Sequence, residues 1–232
     1  MTEKHLPAGT QRLLGRLVRT VSEVLLGRLF GLLGLLARWR RPAHSRRPAP
    51  QRILLLRFGL LGDAVLWIPA LRAARRLFPK ARLEAVVSTY QYAVLSRFTY
   101  VDRFIVRDTD HFTRPVAWLR PTTWRSFVAL VRLLRRRRYD VVLSCYGRMG
   151  ARLALLSGAA LRYGYRDEAD PRVLTHALPG GRYQEPLHEA AYSVRVVSAA
   201  ASAAQPGSAD DMPADDLSLT FLLTAAERQR AA

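Results

Sequence analysis

Two glycines and an aspartate, Gly59, Gly62 and Asp63, stand directly after the apolar run Ile53–Phe58. Glycine allows a sharp turn and lets backbone N–H groups approach a ligand closely. The spacing does not match the G-x-G-x-x-G pattern of dinucleotide-binding proteins. An aspartate at the start of a helix can cap it and complement its dipole, and it can also remove a proton as a general base. Capping is the commoner use of such a residue, so the residues alone leave both roles open.

A second group, Ser144–Arg148, stands where another predicted strand meets a helix. Gly147 permits close approach of a ligand, and Arg148 carries the forked guanidinium that binds phosphate or carboxylate. A plain surface role for Arg148 is equally compatible with the sequence. Cys145 is the only cysteine and has no base beside it, so we interpret it as a packing residue outside any intrachain disulfide.

Other polar groups have simpler interpretations. The basic run Arg135–Arg138 is typical of a solvated helix end, where positive charge complements the helix dipole. The run Arg162–Arg166 covers most of the predicted strand Leu161–Tyr165 and the first residue after it. His176 and His188 are too scattered among too few carboxylates and cysteines to form a metal site, so we predict none. Either histidine could bind substrate, but a loop or capping role is the commoner one.

The body of the chain alternates between strand and helix patterns. Predicted strands are Ile53–Phe58, Arg82–Ser88, Val101–Val106, Val141–Cys145 and Leu161–Tyr165. Predicted helices are Asp63–Phe78, Tyr90–Phe98, Pro121–Arg137, Arg148–Ser157 and Leu187–Ala204. Residues 166–186 read as a loop, and Leu217–Phe221 as a further strand. Such alternation predicts a doubly wound, mostly parallel α/β sheet, whose ligands bind at the carboxyl ends of the strands.

The first 50 residues differ from the rest. Leucine and valine recur at helical spacing between arginines, but the longest uncharged apolar stretch, Leu29–Ala37, is far shorter than the roughly 20 residues of a membrane-spanning helix. We interpret residues 10–41 as a basic amphipathic helix on an anionic membrane surface. A helix packed on the protein's own domain and a disordered leader are the alternatives. A proline-rich linker follows, up to residue 50.

Charge points to an anionic partner. The formal net charge is +19, and all but Lys4 and Lys80 of the 37 basic residues are arginine. Membrane lipid, a phosphorylated sugar or nucleic acid would each fit this charge. The sequence contains no helix-turn-helix, zinc-finger or RNA-binding signature, so we expect no specific nucleic-acid partner. We divide the chain into 1–50 (helix and linker), 51–205 (main domain) and 206–232 (linker and the start of a further domain).

The run Ile53–Arg72 resembles the opening of the bacterial lipopolysaccharide heptosyltransferases, glycosyltransferase family 9. Collinear matches over about residues 52–195 continue at Leu77–Pro79, Ala81–Arg82, Leu134–Leu143, Leu156–Ala159, Arg162–Arg166, Thr175–His176 and His188–Glu189. Each match is modest, but their order and spacing make the set fairly specific.

This resemblance implies the Rossmann-like, acceptor-binding N-terminal half of a GT-B glycosyltransferase. In that family the residue matching Asp63 is the general base for inverting attack by an acceptor hydroxyl, and no metal is required. The donor, typically ADP-heptose, binds to the second domain, which this sequence only begins, so we expect the chain to be inactive alone and to hold no other cofactor. An arginine-lined cleft suits the phosphates of a lipopolysaccharide-core acceptor. We predict substrate binding by Arg57, Gly59, Gly62, Gly147, Arg148 and Arg166.

The implied location is the cytoplasmic face of the inner membrane, with peripheral attachment. The alternative is a non-catalytic membrane-surface module that binds anionic glycolipid.

Overall fold

The computed structural model describes residues 49–113, 115–168, 172–181, 184, 187–204 and 217–219, with positions 28, 31, 32 and 229. The helix predicted over residues 10–41 lies outside these residues, apart from three positions. Within the described part of the chain, we find no helix with the length and apolar character needed to cross a bilayer.

Six parallel strands form one sheet, in the order β3-β2-β1-β4-β5-β6. The strands are β1 (Arg52–Arg57), β2 (Arg82–Val87), β3 (Arg103–Val106), β4 (Val141–Tyr146), β5 (Leu161–Tyr165) and β6 (His176–Leu178). At the centre, Leu55 pairs with Ala85 on one side and with Leu143 on the other. The predicted α/β sheet with Rossmann-like topology is therefore confirmed.

Helices cover both faces of the sheet. They are α1 (Leu61–Leu77), α2 (Thr89–Leu95), α3 (Asp110–Thr113), α4 (Pro121–Arg137), α5 (Arg148–Leu156) and α6 (Glu189–Ala204), with 3-10 turns at Pro115–Leu119 and Arg166–Glu168. Ile53 and Leu55 of β1 pack against α1, α2 and α6, whereas Leu54 and Leu56 pack against α3, α4 and α5. Because both faces of β1 are buried, its sequence is continuously apolar.

Several elements differ from the sequence prediction. Helix α1 begins at Leu61, two residues before the predicted start, and ends at Leu77, one residue before the predicted end. The predicted loop over residues 166–186 contains β6, a three-residue edge strand. Its short sequence, His-Ala-Leu, has no strand signal of its own and becomes extended by pairing with Tyr163–Tyr165. The strand predicted at Leu217–Phe221 is absent from residues 217–219, and the rest of it lies outside the described residues.

The basic end of α4 is only partly a solvated surface. Arg137 donates from Nη1 to both oxygens of the fully buried Glu84, at 2.8 and 3.0 Å. The hydroxyl of Tyr139 also donates to Glu84, at 2.7 Å, and burial together with this carboxylate raises the pKa of Tyr139. Arg138 ends the helix in the left-handed region, with φ of 51°. The prediction of a wholly solvated run at Arg135–Arg138 was therefore wrong for Arg137, because a buried strand carboxylate needs a cation.

Replacing Arg137 tests this anchor. Arg137→Ala should lower the free energy of unfolding by about 3 kcal/mol, because Glu84 then keeps, among the described residues, only Tyr139 and the half-exposed Arg82 as partners. Urea denaturation monitored by circular dichroism would measure the change. The matched control is Arg136→Ala, one residue earlier and exposed, which should change stability by less than about 0.5 kcal/mol. Equal effects of the two substitutions would contradict the anchoring role.

Candidate active site

Asp63 lies in the first turn of α1, at the carboxyl edge of the sheet. The backbone N–H of Leu60 donates to its Oδ2, at 2.7 Å, so the carboxylate does stabilise the helix N-terminus. A Cβ at Gly59 would collide with the same oxygen, so only glycine leaves room for this arrangement. The Asp63 side chain is 26% exposed, and part of it is therefore open to a ligand.

Arg57 holds the other oxygen of Asp63. This arginine ends β1 and its side chain is fully buried, with Nη2 donating to Asp63 Oδ1 at 3.0 Å. Its Nη1 donates to Ser193 Oγ at 2.6 Å, and its guanidinium carbon lies 5.3 Å from the centre of the Tyr146 ring. A buried cation is stable only with such partners, so Arg57 is fixed between β4, α1 and α6.

Glu189 brings a second carboxylate to the same guanidinium. Its Oε2 lies 3.5 Å from Arg57 Nη2, and its side chain is 38% exposed. Glu189 opens α6, and Ser193 stands one turn later on the same helix face. From the sequence, Glu189 belongs to the predicted helix Leu187–Ala204 and to the family resemblance, and its contact with Arg57 was not predicted. The four-residue spacing of Glu189 and Ser193 was the available signal, but it does not identify Arg57 as their partner.

The turn between β1 and α1 is held from the neighbouring loops. The carbonyl of Gly59 accepts from Gln91 Nε2 at 3.2 Å and lies 3.0 Å from the Tyr90 hydroxyl. That hydroxyl also lies 2.6 Å from Asp110 Oδ1. Burial, followed by the contact with Asp110, raises the pKa of Tyr90, so the hydroxyl keeps its proton at neutral pH. These contacts fix the orientation of the turn that presents Asp63.

The loop after β4 lies at the same edge. Gly147 has φ of 81°, a conformation that favours glycine, and its N–H donates to the buried Glu168 at 2.8 Å. Glu168 comes from the turn after β5, so this bond joins the loops that carry Arg148 and Arg166. Both arginines are exposed. The structure thus brings the predicted substrate-binding residues of three strand ends to one edge, and their roles in binding stay predictions.

The other residues singled out from the sequence are Gly62, Cys145, His188 and His176. Gly62 is exposed, and a Cβ there would meet no atom within 4 Å. Cys145 is fully buried, and burial raises the pKa of its thiol to about 11, in keeping with a packing role. His188 Nδ1 accepts from the N–H of Ala190 at the start of α6, and His176 stacks on Tyr163 with ring centres 4.3 Å apart.

Two further observations concern metal binding and the position of the active site. Among the described residues, no group of three or more His, Cys, Asp or Glu side chains could hold a metal ion. A cleft of 920 Å³ lies at the opposite, amino-terminal edge of the sheet, beside Asp140 and Ala204. Its carboxylate, Asp140, accepts from the backbone N–H groups of Gln51 and Arg52 at 2.9 Å and so joins β1 to the start of β4. Because ligands of parallel α/β sheets bind at the carboxyl ends of the strands, we place the candidate active site at that edge.

Replacing Arg57 tests the electrostatic arrangement. Arg57→Met should lower the free energy of unfolding by about 2 kcal/mol, because Asp63 and Glu189 then lose the buried cation that they share. The loss should be smaller than that for a fully buried pair, since both carboxylates reach water. Chemical denaturation would measure it, with Arg103→Met, exposed on β3, as the control. Adding Asp63→Asn to Arg57→Met should restore part of the loss, and a fully stable Arg57→Met protein would contradict the arrangement.

Comparison with known proteins gives matches at the level of fold. No family model and no curated protein matches the sequence. Among solved structures, a glycosyl transferase family 9 protein from Veillonella parvula shares 18% identity with a TM-score of 0.50, over 63% of this chain and 40% of that one.

Two Escherichia coli enzymes are also similar. Heptosyltransferase WaaC, solved with ADP, shares 17% identity with a TM-score of 0.55, over 72% of this chain and 51% of that one. ADP-heptose lipopolysaccharide heptosyltransferase II shares 19% identity with a TM-score of 0.54, over 78% of this chain and 49% of that one. The chain spans about half the length of these proteins. Its described domain has the fold of part of the family 9 glycosyltransferase structures.

Proposed function

We propose that the chain provides the acceptor-binding half of an inverting glycosyltransferase, with Asp63 as the general base. The observation that carries this proposal is the ion pair of Asp63 with buried Arg57, which holds a partly exposed carboxylate at the carboxyl edge of the sheet. The similarity in fold to heptosyltransferases supports the same reaction class.

The proposed chemistry is a single displacement. The acceptor hydroxyl oxygen forms a bond to the anomeric carbon of the donor sugar as the bond to the diphosphate breaks. Asp63 takes the hydroxyl proton as that bond forms. The Leu60 N–H and Arg57 each hold one oxygen of Asp63, which fixes the carboxylate plane before the acceptor arrives. Glu189, beside it and partly exposed, can accept a hydrogen bond from a neighbouring sugar hydroxyl.

We propose a nucleotide sugar, ADP-heptose, as the donor, bound by a second domain rather than by the described one. Support comes from the solved neighbours, whose WaaC structures contain ADP and ADP-2-deoxy-2-fluoro heptose, and of whose length this chain spans about half. Apart from this donor, the chemistry needs no cofactor. The acceptor is a lipopolysaccharide-core or related anionic glycan, whose phosphates suit Arg148 and Arg166, both exposed at the same edge.

Asp63→Asn tests the base assignment. The chain alone should not turn over ADP-heptose, whereas a longer form with a donor-binding domain should transfer heptose to a lipopolysaccharide-core acceptor. In that form Asp63→Asn should lower kcat by about 10²- to 10⁴-fold, because the amide cannot take the proton. Asp108→Asn, exposed at the same edge and paired with His111, is the matched control and should keep most of the activity. Full activity of Asp63→Asn would rule out this base.

We also propose that residues 10–41 attach the protein peripherally to the cytoplasmic face of the inner membrane. The basic and apolar pattern of this segment supports attachment to anionic lipid. Replacing Arg12, Arg16 and Arg19 together by glutamine should lower co-sedimentation with anionic vesicles, since each arginine near the surface contributes about 1 kcal/mol. Unchanged co-sedimentation would contradict the role. Vesicle binding with no transfer by any longer form would favour the alternative, a non-catalytic glycolipid-binding module.

A further inference from the structure

Helix α4 presents an unusually basic outer face. Its 17 residues contain no acidic side chain. The arginines that point outward are Arg125, Arg132, Arg135 and Arg136. Among the residues that the structure describes, none of these four has an acidic side chain within ion-pair distance. Four exposed cations on one helix face, without internal partners, are complementary to an anionic surface outside the protein.

Apolar side chains lie at the beginning of the same face. Leu119 is 83% exposed, Trp124 51% and Val128 39%. The indole N–H of Trp124 donates to the carbonyl of Trp118 at 2.7 Å, and the two rings meet edge to face with centres 4.8 Å apart. Because the polar atom of Trp124 is already bonded, the exposed remainder of its ring is apolar. Exposed apolar groups beside cations mark a contact surface rather than an ordinary solvated helix.

The position of this face relative to the site follows from the topology. Helix α4 joins β3 to β4, and because these strands are parallel, its first residues lie near the carboxyl edge of the sheet. Leu119 and Trp124 are therefore at the same edge as Asp63. Helix α4 packs on the sheet face opposite to α1 and α6, so its outer face leaves the candidate active site uncovered.

We propose that this surface, formed by Leu119, Trp124, Arg125, Val128, Arg132, Arg135 and Arg136 and called the α4 surface, docks the domain on an anionic lipid bilayer. The apolar residues enter the headgroup boundary and the arginines contact lipid phosphates. A bilayer fits better than nucleic acid, because the exposed Leu119, Trp124 and Val128 would have no role on a phosphate backbone. The proposal deepens the proposed function, on which it rests for the membrane-embedded acceptor, and adds a second attachment point inside the folded domain.

Site-specific labelling of the full chain tests the α4 surface separately from residues 10–41. An environment-sensitive fluorophore is attached at Val128→Cys and, in a second protein, at Ala93→Cys on α2, exposed on the opposite sheet face. The native Cys145 is buried and its thiol pKa is raised, so it should not react in the folded protein. With vesicles of phosphatidylglycerol and phosphatidylethanolamine, the label at 128 should shift to the blue and be quenched by brominated lipid. The label at 93 should do neither.

Charge variants complete the test. Arg132→Glu with Arg135→Glu, in the protein labelled at 128, should weaken the vesicle-induced shift by about tenfold or more in lipid concentration, because two phosphate contacts are lost. The matched control is Lys80→Glu with Arg103→Glu, which makes the same charge change at exposed positions near the amino-terminal edge. The control should leave the shift within about twofold. Equal loss in both would show that net charge alone attracts the protein, and would overturn the proposal.

The same labels would respond differently if another partner bound the α4 surface. A response at position 128 to a DNA duplex but not to vesicles would replace the bilayer by nucleic acid. A response that grows with protein concentration in the absence of vesicles would replace it by a second copy of the chain. Either result overturns the proposal, as does identical behaviour of the labels at 128 and 93. No readout involves sugar transfer, so failure here is distinct from failure of the base assignment at Asp63.

Discussion

The buried charge of Arg57 is the constraint on which the site depends. A guanidinium without water is strongly unfavourable unless hydrogen-bond acceptors and anions surround it. Asp63 and Ser193 accept from it, Glu189 is close to it, and the ring of Tyr146 lies over it. These partners come from α1, α6 and β4, so the correct packing of three elements on β1 is a condition for satisfying one cation. The same condition fixes Asp63 in one orientation.

The two faces of the sheet carry helices with different functional groups. Helices α1 and α6 pack on one face and bring the carboxylates to Arg57, whereas α4 covers the other face and carries the exposed cations. Because every strand of the sheet is parallel, the carboxylates and the first turn of α4 lie at the carboxyl edge, whereas the last arginines of α4 lie toward the amino-terminal edge. The short loops at the carboxyl edge are joined by the bonds of Gly59 with Gln91 and of Gly147 with Glu168. These bonds tie the loops that carry the predicted substrate-binding residues to the ends of the strands.

Local sequence signals predicted most of this frame and only part of the site. Strand β1 and the turn to Asp63 were predictable because apolar runs and glycines act locally. Ser193 lies 136 residues from Arg57, and no local pattern reports such a contact. The contact of Arg137 with the buried Glu84 was missed for the same reason, since Glu84 lies on β2, 53 residues earlier in the chain. Edge strand β6 also depends on pairing rather than on propensity.

The ion pair of Arg137 with Glu84 fixes the rotation of α4 about its axis. Because Arg137 points inward to Glu84 while Arg136 points outward, the helix cannot rotate about its axis without breaking a buried ion pair. Its 17 residues extend over about 26 Å, from the amino edge of the sheet to the edge that carries Asp63. On the proposed α4 surface, this fixed rotation keeps the same arginines turned outward. The domain would therefore meet the bilayer in one orientation, with the candidate active site at a constant angle to the lipid plane.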